Sequence, residues 1–318
     1  MGKVYVTDSA FPSLSTERTV LEAAGHQFGF LDTRDPEAII RGAQDADGLL
    51  VQFAPITAQV IDAMPNLKVM VRYGVGYDNL DLEAARRRDV IACNVPTYCL
   101  DEVADHTLAM ILAAARRLVQ IGSESAAGRW RMPPDAMPVM CLRGKTLGLI
   151  GFGAISKQVA KRAIAFGMRV IASDPLLTDS IALEHGVASV PAAELWPAAD
   201  FISIHCPLNP STRHIVNAES ISRMTRGVVL INNGRGGLID EEALYAALLD
   251  GHIGYAALDV LQVEPPKPDY RLLSLPNVLV TPHIASVSEA SVDRLQRMAV
   301  DEIVRVLSGQ PPLHPLYK

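Results

Sequence analysis

The sequence predicts an α/β protein built from two doubly wound parallel sheets, and three observations carry that prediction. Short apolar runs alternate with helical patterns twice along the chain, once before Cys93 and again from Thr146 to Val280. A long helical pattern and a stretch without periodicity separate the two series. A chain of 318 residues also exceeds what one hydrophobic core usually serves, so two domains are expected.

In the first series, Lys3 to Thr7, Gly48 to Val51, Lys68 to Val71 and Val90 to Cys93 read as buried strands. Helices are expected at Thr57 to Met64 and Asp81 to Arg88, which open on cap-like residues and stop near Pro65 and Asp89. Leu108, Ile111, Leu112, Ala115, Leu118 and Val119 recur at helical spacing and predict one long amphipathic helix from Asp101 to near Gly122. Gly122 to Arg143, with Trp130, Pro133, Pro134 and Pro138, has no period and is expected to cross the surface as extended chain. The second series places strands at Thr146 to Ile150, Arg169 to Ser173, Phe201 to Ile204, Val228 to Ile231, Tyr255 to Leu258 and Val278 to Val280. Val292, Leu295, Ala299, Ile303 and Val306 form the apolar face of a last helix, stopped by Gly309 and Pro311.

Composition narrows the function. A formal charge of −6 without a long basic run argues against a nucleic-acid partner and for a small-molecule one. The N-terminus has no basic n-region or long apolar h-region, and no stretch reaches membrane-spanning length, so neither a signal peptide nor a membrane partner is expected. Cys93, Cys99, Cys141 and Cys206 lack ligand spacing, which reads as reduced thiols in a cytoplasmic protein and no metal site.

The strongest local signal is Gly151-Phe152-Gly153-Ala154-Ile155-Ser156, directly after one predicted strand and before a helix with Ile155, Val159, Ala163 and Phe166 on one face. The first glycine permits a tight turn, and the second lets the backbone approach a pyrophosphate at the helix N-terminus. Ser156 stands where glycine or alanine is usual, a small residue expected to be tolerated. Asp174 follows the next strand, about 20 positions on, where a carboxylate accepts from ribose hydroxyls. It would repel a 2′-phosphate, and no arginine or lysine follows it, so NAD is expected over NADP.

Three segments in the last third each place a polar residue just past a strand, on short stiff backbone: Asn233-Gly234-Arg235-Gly236, Gln262-Val263-Glu264-Pro265 and Thr281-Pro282-His283. Reducing a 2-keto acid needs a cation for the carboxylate, a hydride donor and an acid for the developing alkoxide. Arg235, NADH and protonated His283 meet those needs, and Glu264 would orient the imidazole and favour its charged form.

With these segments in place, the sequence from Asp47 to Ser291 resembles the D-isomer-specific 2-hydroxyacid dehydrogenase family. Further motifs carry the likeness: Arg72-Tyr73-Gly74-Val75-Gly76-Tyr77-Asp78-Asn79, Asn94-Val95-Pro96, Glu102-Val103-Ala104-Asp105-His106, Gly144-Lys145-Thr146-Leu147-Gly148, Cys206-Pro207-Leu208 and Ala257-Leu258-Asp259-Val260. The resemblance implies that Arg235 binds the substrate carboxylate and carbonyl, that His283 is the acid/base and that Glu264 is its partner. It implies that the backbone of Gly74, Val75 and Gly76 holds the carboxylate, that Asp259 contacts the nicotinamide carboxamide, and that Cys206, Pro207, Thr212, Asn233 and Gly234 line the cofactor. For Asp259 a helix or turn cap is the plainer alternative. The likeness further implies a flavodoxin-like substrate domain of residues 1–96 plus 285–318, a Rossmann nucleotide domain of residues 97–284, and a homodimer.

Within the family, Val51 to Thr57, the Arg72 segment and Val287 to Ser291 look most like the C-terminal-binding-protein branch, which includes NAD-sensing corepressors with little turnover. Ser286 departs from the tryptophan that follows the catalytic His-x-Ala in the animal members of that branch. Phosphoglycerate dehydrogenases are a further alternative, although they usually carry an arginine where Gln52 stands and many have an additional regulatory domain. Arg72 suits a phosphate, a second carboxylate or a strand-end ion pair. Val75 replaces the lysine of phosphite-oxidising relatives. Phe53, Tyr73 and Tyr98 are candidate apolar pocket walls, with simple packing as the alternative.

Overall fold

Short strands, the central ones buried on both faces, alternate with helices to build two parallel sheets in a computed structural model that describes residues 1–132 and 138–317. The chain divides into two compact units, Met1–Cys99 with Val287–Lys318, and Leu100–Ser286.

The first unit contains β1 (Lys3–Val6), α1 (Ser15–Ala23), β2 (Gln27–Phe30), α2 (Pro36–Ala43), β3 (Gly48–Val51), α3 (Ala58–Asp62), β4 (Val69–Arg72), α4 (Leu82–Arg87), β5 (Ile91–Cys93) and, from the far end of the chain, α12 (Glu289–Leu307). All pairings are parallel, in the flavodoxin-like order β2-β1-β3-β4-β5. The caps are local and readable: Asp35 accepts from the Ala38 amide at 3.0 Å ahead of Pro36, and Asp81 from the Ala84 amide at 2.9 Å. Ser288 and Ser291 form a reciprocal capping box at the start of α12. This last helix packs on α1, β3 and β4 through Leu295, Ala299 and Ile303, all buried.

The second unit contains α5 (Leu100–Arg116), α6 (Leu118–Ala126), β6 (Thr146–Ile150), α7 (Ala154–Ala165), β7 (Arg169–Ser173), α8 (Asp179–Glu184), β8 (Ala188–Ser189), α9 (Ala192–Ala198), β9 (Phe201–Ile204), α10 (Ala218–Ser222), β10 (Val228–Asn232), α11 (Glu241–Leu249), β11 (Ile253–Leu258) and β12 (Val278–Val280). Its parallel sheet runs β12-β11-β10-β9-β6-β7-β8. Strand order reverses between β6 and β9, so the crevice beyond their C-terminal ends is where a Rossmann sheet takes a ligand.

The long helix expected from Asp101 to Gly122 is two helices. Arg117 adopts left-handed backbone at φ 52°, ends α5, and packs its guanidinium over the Tyr255 ring at 4.8 Å. Leu118 and Val119, which continue the apolar period, therefore face outward at 56% and 50% exposure. α6 also occupies part of the segment expected to be extended from Gly122 onward. Pro133 and Pro134 lie outside the described residues. No described helix is long and apolar enough to cross a membrane.

Candidate active site

The turn after β6 is shaped by what its glycines allow. Gly151 sits at φ 91°, and a Cβ there would fall 2.7 Å from the Cys206 nitrogen, so the β6–α7 and post-β9 turns approach more closely than any side chain permits. At Gly153 the same construction meets nothing within 4 Å, leaving open space at the N-terminus of a 12-residue helix whose first amides have no helical partners. Ala154 opens that helix, and Ile155 and Phe152 pack into the core behind it. Ser156 is fully buried and donates from Oγ to the Gly151 carbonyl at 2.8 Å, so the residue that departs from the glycine pattern fastens the turn itself.

Asp174, just past β7, accepts from the Phe152 amide at 2.8 Å and the Leu176 amide at 2.7 Å, one on each oxygen. Each oxygen retains acceptor capacity for a ribose hydroxyl. Thr212 Oγ1 donates to the Pro207 carbonyl at 2.6 Å and accepts from the Asn209 amide, closing the turn that begins at Cys206. Burial pushes the Cys206 thiol up to about 11. Asn233 donates from Nδ2 to Thr107 Oγ1 at 2.8 Å, while its Oδ1 is buried and has no partner among the described residues. An open glycine cradle, free helix amides, an orphaned buried acceptor and a placed carboxylate fit a dinucleotide.

Farther along the sheet, Arg235 follows β10 on extended backbone, φ −141° and ψ 141°. Asn232, fully buried, donates from Nδ2 to the Arg235 carbonyl at 2.9 Å and accepts from the Gly234 amide at 3.0 Å, bracketing the turn. Sequence reading passed over Asn232; a polar residue ending an otherwise apolar strand was the available signal. Gly236 is the second constraint, because a Cβ there would lie 2.0 Å from the carbonyl carbon and oxygen of Leu261. The Arg235 turn is thus pressed against the loop that carries Glu264.

Glu264 uses both carboxylate oxygens. Oε1 accepts from the Leu261 amide at 2.9 Å, and Oε2 meets His283 Nδ1 at 2.7 Å. Burial raises the Glu264 carboxyl, but His283, the Leu261 amide and nearby Arg235 outweigh it and hold the group below its ordinary range. An ionised Glu264 only accepts, so Nδ1 of His283 carries the proton it donates and Nε2 is left for proton exchange.

His283 has left-handed backbone at φ 56°, and Asp259 holds it there. The Asp259 carbonyl accepts from the His283 amide at 2.8 Å. Its carboxylate, 1% exposed, accepts from Thr281 Oγ1 at 2.5 Å and from the amides of Ile284 and Ala285 at 2.9 and 2.8 Å. Asp259 therefore caps the turn that presents the histidine. His106 Nε2 lies 3.0 Å from Thr281 Oγ1, and that hydroxyl gives its proton to Asp259, so His106 is the donor.

The first unit holds the remaining predicted residues. Gly74 sits at φ 133°, and a Cβ would fall 1.8 Å from Arg72 Nη1, so the guanidinium lies directly over the glycine. The Gly74 and Val75 carbonyls accept from Val95 N at 3.0 Å and Asn94 Nδ2 at 2.6 Å, which fixes the turn leading into Gly76. Tyr73 is a core residue, 2% exposed, donating to buried Glu17 at 2.9 Å; Tyr98 is buried too. Phe53 is 40% exposed beneath the Arg34 guanidinium. Gln52 accepts from the Ala10 amide at 2.6 Å.

The profile of the D-isomer specific 2-hydroxyacid dehydrogenase family, NAD binding domain, matches residues 108–285. The chain belongs to that family. This dehydrogenase is 37% identical over 279 residues to the glyoxylate reductase of Korarchaeum cryptofilum, covering 87% of this chain and 84% of the relative. It is 40% identical over 312 residues to the D-3-phosphoglycerate dehydrogenase of Methanocaldococcus jannaschii, covering 98% of this chain but 58% of that relative's length. The crystal structure of a glyoxylate reductase from Paecilomyes thermophila superposes with a TM-score of 0.91 at 26% identity, covering 99% of this chain and 98% of that one. The dehydrogenase is an NAD-dependent oxidoreductase of the 2-hydroxy acid class, and its second unit is the NAD-binding domain.

Proposed function

We propose that the enzyme reduces a small unphosphorylated 2-keto acid, glyoxylate or hydroxypyruvate being the first to try, to the corresponding 2-hydroxy acid, of D configuration where the product is chiral, with Arg235, Glu264 and His283 carrying the chemistry. The observation that carries this reading is the 2.7 Å contact between His283 Nδ1 and a Glu264 carboxylate whose other oxygen is already engaged. Bound NADH would supply the hydride. The Nε2 proton of the histidine goes to the carbonyl oxygen, and ionised Glu264 orients the ring through Nδ1 so that Nε2 is left for the substrate. Arg235 pairs with the substrate carboxylate and polarises the carbonyl.

The dinucleotide is assigned to Gly151, Phe152, Gly153, Ala154, Ile155, Asp174, Cys206, Pro207, Thr212, Asn233, Gly234 and Asp259, with Arg235 and His283 touching its nicotinamide end. The backbone of Gly74, Val75 and Gly76 is assigned to the carboxylate and Arg72 to a further polar group of the substrate. Residues 1–96 with 285–318 would serve the substrate and 97–284 the cofactor. A homodimer in the cytoplasm completes the reading; the exposed Leu118, Val119 and Trp130 of the second unit support a covering second copy, and Cys93, Cys99, Cys141 and Cys206, held as thiols, suit a reducing compartment.

A phosphoglycerate dehydrogenase is the second reading, favoured by the 40% identity across 98% of the chain and by Arg72 over Gly74. Gln52, neutral and bonded to the Ala10 amide, weighs against a doubly charged phosphate. The test is NADH consumption at 340 nm with glyoxylate, hydroxypyruvate, pyruvate, phenylpyruvate and phosphohydroxypyruvate. Turnover restricted to the phosphorylated compound selects the second reading. Silence across the panel despite tight NADH binding selects the corepressor-like alternative.

A further inference from the structure

Glu241 is the first residue of α11, a place where an acidic side chain ordinarily serves the helix dipole. Here the carboxylate reaches away from its helix. Oε1 accepts from the Gln262 amide at 2.8 Å, and Oε2 accepts from the Tyr270 hydroxyl in a short contact. The consecutive amides of Leu261 and Gln262 are therefore each held by a carboxylate, the first by Glu264 and the second by Glu241. The same Leu261–Gln262 peptide is the one Gly236 abuts, its would-be Cβ lying 2.0 Å from the Leu261 carbonyl and 2.4 Å from the Gln262 nitrogen. Gln262 adds a third tie, donating from Nε2 to the Ile239 carbonyl at 2.6 Å.

One peptide thus joins the Arg235 turn to the Glu264 loop, and Glu241 holds its N–H. We propose that Glu241 is a positioning residue for the reaction: its carboxylate holds the Leu261–Gln262 peptide so that Arg235 and the Glu264–His283 pair keep their mutual geometry. This rests on the roles proposed for Arg235, Glu264 and His283. Glu241 is half-buried, and burial, ahead of the neighbouring Glu242 and Glu264, raises its carboxyl above the ordinary range, against the opposing Gln262 amide. A side chain whose ionisation is disfavoured where it stands is costly to keep there unless its acceptor atoms are used. Tyr270 alone does not account for the arrangement, since it occupies only one of the two oxygens.

The test measures kcat, KM and the NADH dissociation constant of Glu241→Ala, Glu241→Gln and Glu241→Asp with the best keto acid, alongside His283→Ala. The amide of Glu241→Gln keeps an oxygen for the Gln262 N–H. Glu241→Asp keeps the charge but withdraws it by one methylene, and answers the question should Glu241→Ala not fold. The expected result is a kcat loss of about tenfold or more in Glu241→Ala and Glu241→Asp, NADH binding within about twofold of the parent, and recovery of most of kcat in Glu241→Gln. Parental kcat in Glu241→Asp, or a Glu241→Gln as impaired as Glu241→Ala, overturns the proposal. An active His283→Ala would instead overturn the assignment on which it rests.

Discussion

Gly236→Ala should disable the enzyme without touching a single functional group. The added methyl would stand 2.0 Å from the Leu261 carbonyl and 2.4 Å from the Gln262 nitrogen, against the 3.4 Å or more of ordinary contacts. Both obstacles are backbone, so no side chain can swing aside and the two loops must separate by more than about 1 Å. Overpacking of this kind costs about 2 kcal/mol, which lowers the melting temperature by roughly 4–8 °C in a domain of this size. A displacement of about 1 Å between Arg235 and Glu264 costs on the order of 10²-fold in kcat. The measurement is steady-state NADH oxidation with the preferred keto acid, paired with thermal unfolding and NADH titration by fluorescence. NADH should still bind, more weakly at most, since Gly151, Gly153 and Asp174, assigned to the pyrophosphate and ribose, lie on other loops and only the nicotinamide end is assigned to the Arg235 turn. A folded Gly236→Ala enzyme with parental kcat would refute the claim that the two loops are locked at this contact.

Further outcomes follow from the same geometry. Gly153→Ala, placed in open space, should melt like the parent yet bind NADH at least about tenfold more weakly, because the methyl occupies the room assigned to the pyrophosphate; equal affinity would remove that assignment. His283→Ala should lose about 10²- to 10⁴-fold in kcat while keeping most of its NADH affinity, which is assigned chiefly to Gly151, Gly153 and Asp174, checked by single-turnover kinetics and NADH titration. Glu264 sits below its ordinary pKa of 4.5, so the stability it adds is complete above pH 4.5 and is lost as pH falls through the lowered folded value. The stability difference between the parent and Glu264→Gln should therefore shrink on acidification, and growth instead would contradict the His283 pairing. His205 is pushed down by burial to about 4 from 6.5, so the fold holds it neutral. Stability from this source is full above pH 6.5 and declines toward pH 4, and an imidazole titrating near 6.5 by NMR would contradict the desolvation of this half-buried ring.

The sequence was most legible where chemistry and burial coincide. β6 and β9 begin and end where the sequence places them, because every residue is buried and no polar alternation blurs the edges; β7 and β12 match as well, although β7 alternates between exposed and buried positions and β12 is partly exposed at the sheet edge. β2 escaped notice for the opposite reason. Gln-Phe-Gly-Phe lies at the sheet edge, partly exposed, with Gly29 making room for the Tyr5 ring, so neither alternation nor an apolar run marks it. α1 was hidden by Glu17, fully buried yet charged in type, whose Tyr73 and Gln296 partners come from distant parts of the chain. α2 and β8 were missed as well, the second being only two residues long.

At the site, strand-end position marked Arg235, Glu264 and His283 as candidates, and the fold sets the last two 2.7 Å apart. Asn232 bonds within its own turn, where its polar side chain at the end of an apolar strand was a signal. The contacts of Gly236 and Glu241 were not legible, because both meet backbone atoms of another loop, and sequence spacing says nothing about which loops meet. The break at Arg117 belongs to the same class. The apolar period runs straight across it, and only a buried guanidinium stacked on Tyr255 shows why the helix stops.

The first unit is completed by the last stretch of the chain. α12 covers β3 and β4, and Glu302 on that helix accepts from the Leu313 and His314 amides at 2.7 and 3.0 Å, after which the Leu316 amide donates to the Ala92 carbonyl in β5. During synthesis, β1 to β5 leave the ribosome long before the helix that seals them, whereas Leu100–Ser286 is contiguous and can mature as soon as it is made. The order of birth is thus inverted in the order of completion. The earliest segment must wait, with apolar residues of β3 and β4 uncovered, for the interval in which the entire middle of the protein is translated, and that waiting interval is where a chaperone would have most to shield.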